Sequence, residues 1–197
     1  MSIRKARIED CRAIAELALM AGEGIPAWFW EQSRQGGQPI EDVGARNAAS
    51  DSENFSYRNA YLALEGEDVA GMILAYRLPG TDHVESLKEY PEFIRPLIEL
   101  EQCVPDSFYI NMLATYPQYR GRGIGSRLMG LADRLAVDAR CSLISVEVFS
   151  QNEGAFKLYQ RLGYSEIERR KVIKHPSHPY DEYIVLLVKD ANLQAQN

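Results

Sequence analysis

The stretch Tyr109-Ile-Asn-Met-Leu-Ala-Thr-Tyr-Pro-Gln-Tyr-Arg-Gly-Arg-Gly-Ile-Gly125 leaves a chain few ways to fold. An apolar strand runs into a bend at Pro117, then into three glycines at every second position, then into an amphipathic helix. On that helix Ile124, Leu128, Leu131 and Leu135 form one stripe, which fixes its direction against a core. N–H groups at a helix start lack partners within the helix and favour an anion, and glycine lets a ligand come close to the backbone. Arg120 and Arg122 add positive charge. The pattern points to a bound phosphate or pyrophosphate, against the plainer reading of a tight strand-to-helix turn with no ligand.

Two common phosphate motifs fit poorly. A P-loop needs Lys-Ser or Lys-Thr after its last glycine, and here Ser126-Arg127 follows. A dinucleotide fingerprint needs glycine where Ser126 stands, with the first glycine leaving the strand directly.

Around this segment the chain reads as one mixed α/β domain over residues 1–190 with a polar tail, 191–197. Expected strands are Ser2–Ala6, Tyr61–Leu64, Val69–Tyr76, Ser107–Thr115, Leu143–Phe149, Tyr164–Ile173 and Tyr183–Val188. Expected helices run from Glu9 to Ala21, from near Ile40 to Ala49, around Glu92–Glu101, from Gly125 to Ala139 and from Asn152 to Leu162. Gly163 can stop the last of these with a positive φ. The segment 79–106 is irregular, with prolines at 79, 91, 96 and 105, and looks like an insertion that covers something.

Charge and cysteine usage narrow the function. A formal net charge of −6 disfavours broad nucleic-acid binding, which needs a basic face. No apolar run is long enough to cross a bilayer, and the start lacks the apolar core of a secretion signal. Cys11, Cys103 and Cys141 are odd in number and without CxxC spacing, which suits free thiols in a cytoplasmic setting. His83, His175 and His178 give no metal-ligand spacing, so no metal is expected. Acids dominate 81–106, whereas Arg120, Arg122, Arg127, Arg134 and Arg140 crowd the turn and the helix after it. One stretch suits an anion and the other a cation, although solvated faces explain most single charges.

Arg120-Gly121-Arg122-Gly123-Ile124-Gly125 resembles the (Arg/Gln)-x-x-Gly-x-(Gly/Ala) motif of the GNAT superfamily of N-acetyltransferases. Asn152-Glu-Gly-Ala-Phe-Lys-Leu-Tyr-Gln-Arg-Leu-Gly-Tyr164 is similar to a second motif of that family, about 30 residues on. The likeness is strong over Ile110–Tyr164, extends to the first helix and early strands, and is absent over 79–106. It implies a central mixed, mostly antiparallel sheet of six or seven strands flanked by helices, with acetyl-CoA as co-substrate. The resemblance puts the coenzyme's pyrophosphate on the backbone of Arg120, Gly121, Arg122, Gly123, Ile124 and Gly125, with Ser126 adding a hydroxyl. It lays the pantetheine arm beside Met112, Leu113, Ala114 and Thr115, with the Leu113 amide as oxyanion donor. A β-bulge near Asn111 or Met112 would open the strand for it.

The reaction so implied is acyl transfer from a thioester to an amine. A lysine-like amine is deprotonated only to about four parts in ten thousand at pH 7, so a proton must be removed. Tyr159 stands at the family's general-acid position, where it could protonate the leaving thiolate; by periodicity alone it belongs to the stripe Ala155, Leu158, Tyr159, Leu162 and packs. Asn152 either caps its helix, touches the pantetheine, or does both. The strand 107–115 has no carboxylate, so the base is left open among Glu101, Glu147, Glu99 and a water relay, each glutamate being by default solvent-facing. Trp28 and Phe29 are candidates for substrate contact, as is Glu99, and the loop His175–His178 could border the acceptor. The acids of 79–106 favour a cationic small-molecule or protein amine. A homodimer fits the family pattern. The rival reading is a CoA-binding regulatory module without turnover; a third is a nucleotide-binding protein.

Overall fold

Alternation and periodicity dictate most of the elements in the computed structural model, which describes residues 1–81 and 86–191. Asp82, His83, Glu85 and the tail beyond Ala191 lie outside the described residues. Among the described residues seven strands form one sheet: β1 (Ser2–Lys5), β2 (Ala60–Glu65), β3 (Asp68–Arg77), β4 (Phe108–Thr115), β5 (Leu143–Phe149), β6 (Ser165–Lys171) and β7 (Tyr183–Asp190). Their order is β1-β2-β3-β4-β5-β7-β6. The helices are α1 (Cys11–Ala21), α2 (Ile25–Ser33), α3 (Ile40–Ala48), α4 (Arg95–Glu101), α5 (Ile124–Asp138) and α6 (Glu153–Arg161). This is the expected mixed, mostly antiparallel sheet with flanking helices, a mixed α/β architecture (α+β by some schemes).

The chain divides into two compact units, Met1–Ala75 with Asn111–Met129, and Tyr76–Ile110 with Gly130 onward. In the first, β1 pairs antiparallel with β2, and a two-residue turn at Gly66-Glu67 joins β2 to β3. Helix α1 turns Ile14, Leu17 and Ala18 inward with no exposure; each large aliphatic side chain so buried stabilises by about 1.5–3 kcal/mol. The tryptophan-rich run is a helix, α2, where Trp30 is buried against Phe55. In the second unit β7 lies between β5 and β6, both antiparallel to it. The edge strand β6 is blunted by Glu166, Glu168, Arg169 and Arg170, charges that discourage further pairing.

Strand β4 passes from the second unit into the first. Its parallel register with β5 covers Phe108, Tyr109 and Ile110, without a shift. The expected bulge at Asn111 or Met112 would lie just beyond the end of that register, where the chain passes from one unit to the other. The inward face of α5 also differs from the expected stripe. Ile124, Leu128, Met129, Ala132 and Ala136 are buried, whereas Leu131 and Leu135 are only half-buried.

Gly71 on β3 shows how closely the first unit is packed: a Cβ there would stand 2.6 Å from the carbonyl oxygen of Ala114. Gly71→Ala should therefore force strain at β4 costing about 1–3 kcal/mol. A lowered urea midpoint with the far-UV spectrum retained is the expected result; an unchanged midpoint would show that the two strands part freely.

Candidate functional site

The first unit carries the turn. Beyond β4, Tyr116 leads into a 3-10 turn, Pro117–Tyr119, and then to Arg120. Gly121 and Gly123 adopt φ of 75° and 76°, the left-handed region that costs other residues about 1–2 kcal/mol. A Cβ at either would meet no protein atom within 4 Å. Backbone conformation, not crowding, thus demands glycine, and the backbone there is open to approach. The first i→i−4 bond at the head of α5 runs from Arg127 N–H to the Gly123 carbonyl, at 3.1 Å. The N–H groups of Ile124, Gly125 and Ser126 precede it and point out of the helix start.

Side chains brace this turn. Arg120 Nε donates to the Thr115 carbonyl at 3.2 Å, and the Arg122 guanidinium lies over the Tyr119 ring. Tyr119 donates to Asp68 Oδ2 at 3.3 Å. Arg120, Arg122, Ser126 and Arg127 are exposed; Met112, Leu113 and Thr115 are half-buried, and Ala114 is buried. An exposed backbone bend with two arginines can hold an anionic diphosphate through N–H groups and charge. Trp28 and Phe29 lie in the same unit on α2, ring edge to face at 5.0 Å, with Phe29 41% exposed.

The second unit carries the candidate acid–base groups. Glu147 sits on β5 opposite Leu186 of β7. Part of the residue reaches the surface, but Oε1 is enclosed and has no hydrogen-bond partner among the described residues. Oε2 accepts a long bond, 3.4 Å, from the Tyr109 hydroxyl on β4. Burial first, then the charge of Glu101, hold the Glu147 carboxyl well above the usual carboxylate range; the Tyr109 bond opposes them. The structure thus brings Glu147, Glu101 and Tyr109 into one electrostatic cluster. Tyr109 carried no catalytic signal in the sequence, where it reads as one more apolar position of a strand.

Glu99, two residues before Glu101 on α4, is held by Arg170 Nε of β6 at 2.9 Å. Tyr159 is 6% exposed, the one buried residue of α6, with its ring 6.0 Å from that of Tyr164. Asn152 caps α6 through its side-chain oxygen, which accepts from Ala155 N–H at 3.2 Å, and Gly163 ends the turn beyond it at φ 88°. The histidine loop is less superficial than expected. His175 stacks on Phe93 at 3.9 Å, and His178 is 8% exposed, with Nδ1 enclosed and without a hydrogen-bond partner among the described residues. Burial lowers the His178 pKa below the usual imidazole value. Both line a depression of about 350 Å³ with Lys174, Tyr180 and Asp181. Among the described residues, no group of three His, Cys, Asp or Glu could hold a metal ion, and no helix is long and apolar enough to cross a membrane.

A family model described as "Acetyltransferase (GNAT) family" matches residues 24–164, a stretch with residues in both units. Over 61 residues the chain is 39% identical to N-alpha-acetyltransferase MAK3 of Arabidopsis thaliana, covering 31% of this chain and 32% of that protein. The matched stretches span 32%, 36% and 24% of three curated relatives, well under two thirds of their lengths. The solved polyamine N-acetyltransferase of Drosophila melanogaster, which catalyses the formation of N-acetylagmatine, is similar at TM-score 0.67 and 20% identity, covering 96% of this chain and 99% of that one. The yncA protein of Salmonella typhimurium, solved with its cofactor acetyl-CoA, is similar at TM-score 0.58 and 15% identity, covering 100% and 96%. At these identities the likeness is one of fold.

The raised pKa of Glu147 has a consequence for stability. A carboxyl that holds its proton more tightly when folded stabilises the fold at low pH, and that stability is lost as pH rises from the ordinary carboxylate range through the folded pKa. Glu147→Gln should therefore match the wild type near pH 4 and exceed it at pH 8, read as melting temperature against pH. The same pH dependence in both proteins would show that Glu147 titrates as an ordinary surface acid.

Proposed function

The chain belongs to the acetyltransferase (GNAT) family, and from that premise we propose that it moves an acetyl group from acetyl-CoA to a primary amine of a cationic acceptor by direct transfer. Acetyl-CoA supplies the acyl group, already activated as a thioester. The turn fits its diphosphate: the open, left-handed backbone at Gly121 and Gly123, the N–H groups of Ile124, Gly125 and Ser126, and the exposed Arg120 and Arg122 are a suitable donor set. Met112, Leu113, Ala114 and Thr115 are assigned to the pantetheine arm, and the Leu113 N–H to the acyl oxygen, whose growing negative charge needs a donor.

Glu147 is the observation that favours turnover over mere coenzyme binding. An ammonium ion of ordinary pKa must lose a proton before it can attack, and a carboxylate of normal pKa is a poor match for that proton. Burial brings Glu147 closer to the amine in proton affinity. We assign Glu147 as the base and Glu101 as the charge that draws a cationic acceptor toward it. Tyr159, whose phenol stays protonated at neutral pH, is assigned to protonate the departing thiolate. Its cap, Asn152, holds the helix that carries it. Likeness to a polyamine N-acetyltransferase supports a cationic acceptor, and Trp28 and Phe29 offer the apolar surface for its carbon chain.

Release of free thiol from acetyl-CoA across a panel of mono-, di- and polyamines tests the reading. Turnover with a cationic amine is expected. Stabilisation by CoA without thiol release for any amine would instead identify a binding module. Gly123→Val should abolish CoA binding in calorimetry, because valine disfavours φ near 76° and fills the open backbone. Tyr159→Phe should lower kcat about 10–100-fold with CoA affinity kept. In the wild type kcat/KM should rise with pH through the elevated Glu147 pKa, and Glu147→Gln should lose that limb.

A further inference from the structure

We propose that Tyr116 and Glu16 are positioning residues of the donor site: the hydrogen bond between them holds the glycine turn in the shape that receives the coenzyme's phosphates. The inference rests on the reading of Arg120–Gly125 as the acetyl-CoA cradle. Tyr116 is the first residue after β4, and its N–H donates to the Ala70 carbonyl of β3 at 2.9 Å. Its hydroxyl donates to Glu16 Oε2 on α1 at 2.7 Å, across 100 positions of sequence. Backbone and side chain therefore pin this residue from two directions.

The turn is built outward from that pinned point. Pro117, with its fixed φ, follows at once. The Tyr119 N–H returns to the Tyr116 carbonyl at 2.9 Å and the Arg120 N–H to the Pro117 carbonyl at 3.3 Å. Arg120 is the first cradle residue, so these two bonds pass a shift of Tyr116 on to the head of the cradle. The second brace, Tyr119 to Asp68, is longer at 3.3 Å and exposed, hence weaker.

The far end of the tether is rigid as well. Glu16 also accepts from Arg12 Nε at 3.1 Å, and Arg12 pairs with Glu41 and Asp42 of α3. Helix α1 is fixed by the unexposed Ile14, Ala15, Leu17 and Ala18. Burial, the bond to Glu16 and the charge of Glu16 all raise the Tyr116 pKa, with only Arg12 opposing, so the hydroxyl remains a donor throughout the working pH range. A neutral donor on a carboxylate gives a short, directional bond, as the 2.7 Å separation shows.

Tyr116→Phe keeps the ring and removes only the hydroxyl. It should raise the CoA dissociation constant, read by calorimetry, about three- to tenfold, a part of the worth of one such bond, since the loss reaches the ligand only through the shape of the turn. KM for acetyl-CoA should rise by the same factor, while kcat at saturating donor and KM for the amine hold. Glu16→Ala should reproduce this, Glu16→Gln, which keeps an oxygen for the hydroxyl, should give a smaller rise, and the double variant Tyr116→Phe/Glu16→Ala should be no worse than either single change. An unchanged CoA dissociation constant in Tyr116→Phe, or losses confined to kcat or to the amine, would overturn the positioning role and leave the cradle intact. Wild-type protein that does not bind CoA would overturn both.

Discussion

The left-handed backbone at Gly121 and Gly123 is the constraint on which the connection from β4 to α5 depends. It lets the chain leave β4, bend, and enter α5 with the helix N–H groups outward. Everything near it serves to keep that bend in place. Downstream, Ile124 and Leu128 anchor α5 with almost no exposure. Upstream, Tyr116 is pinned by Ala70 and Glu16, and Gly71 allows the Ala114 carbonyl to come close. A turn with the proposed role of binding an anion cannot cover its own backbone, so its shape has to be set by neighbours.

Much of this was legible in the sequence. The β4–turn–α5 segment announces itself because glycine spacing, proline and helical periodicity agree over adjacent residues, and β5 and α3 lie where their patterns place them. Large apolar residues misled at α5, where the expected Leu131 and Leu135 are half-buried and the small Ala132 and Ala136 are buried. Close approach favours small side chains on the inward face, a choice that hydrophobic size does not reveal. The Tyr116–Glu16 bond had no local signal at all, since its partners are 100 positions apart.

Glu147 shows a different limit. Period-two reading puts a glutamate between two valines on the solvent side of a strand. Yet β5 has β4 on one side and β7 on the other, and even Ser145 on its face is without exposure. A strand in the interior of a sheet with helices packed on it buries residues on both faces, so alternation loses its meaning. Ser145 answers burial by hydrogen bonding Ser107 at 2.7 Å. Glu147 answers it with a raised proton affinity, and its Oε1 has no hydrogen-bond partner among the described residues. A buried acid kept in this state costs stability at neutral pH, which natural proteins accept mainly at functional positions.

That cost has a chemical return in the proposed reaction. An ionised Glu147 facing an ammonium and a protonated Glu147 facing a free amine carry the same number of protons, and their balance is set by the difference in proton affinity. Each unit by which the carboxyl rises toward the amine removes about 1.4 kcal/mol from the transfer. Glu101 acts on both partners in the same sense, since its negative charge raises the proton affinity of carboxyl and amine alike. It therefore attracts a cationic acceptor without itself narrowing the gap. Burial is the effect that narrows it, because it disfavours the charged carboxylate while equally disfavouring the ammonium, raising one pKa and lowering the other. Enclosure of Glu147, more than its acidic neighbour, is what would make it a competent base, in keeping with burial as the first cause of its shift.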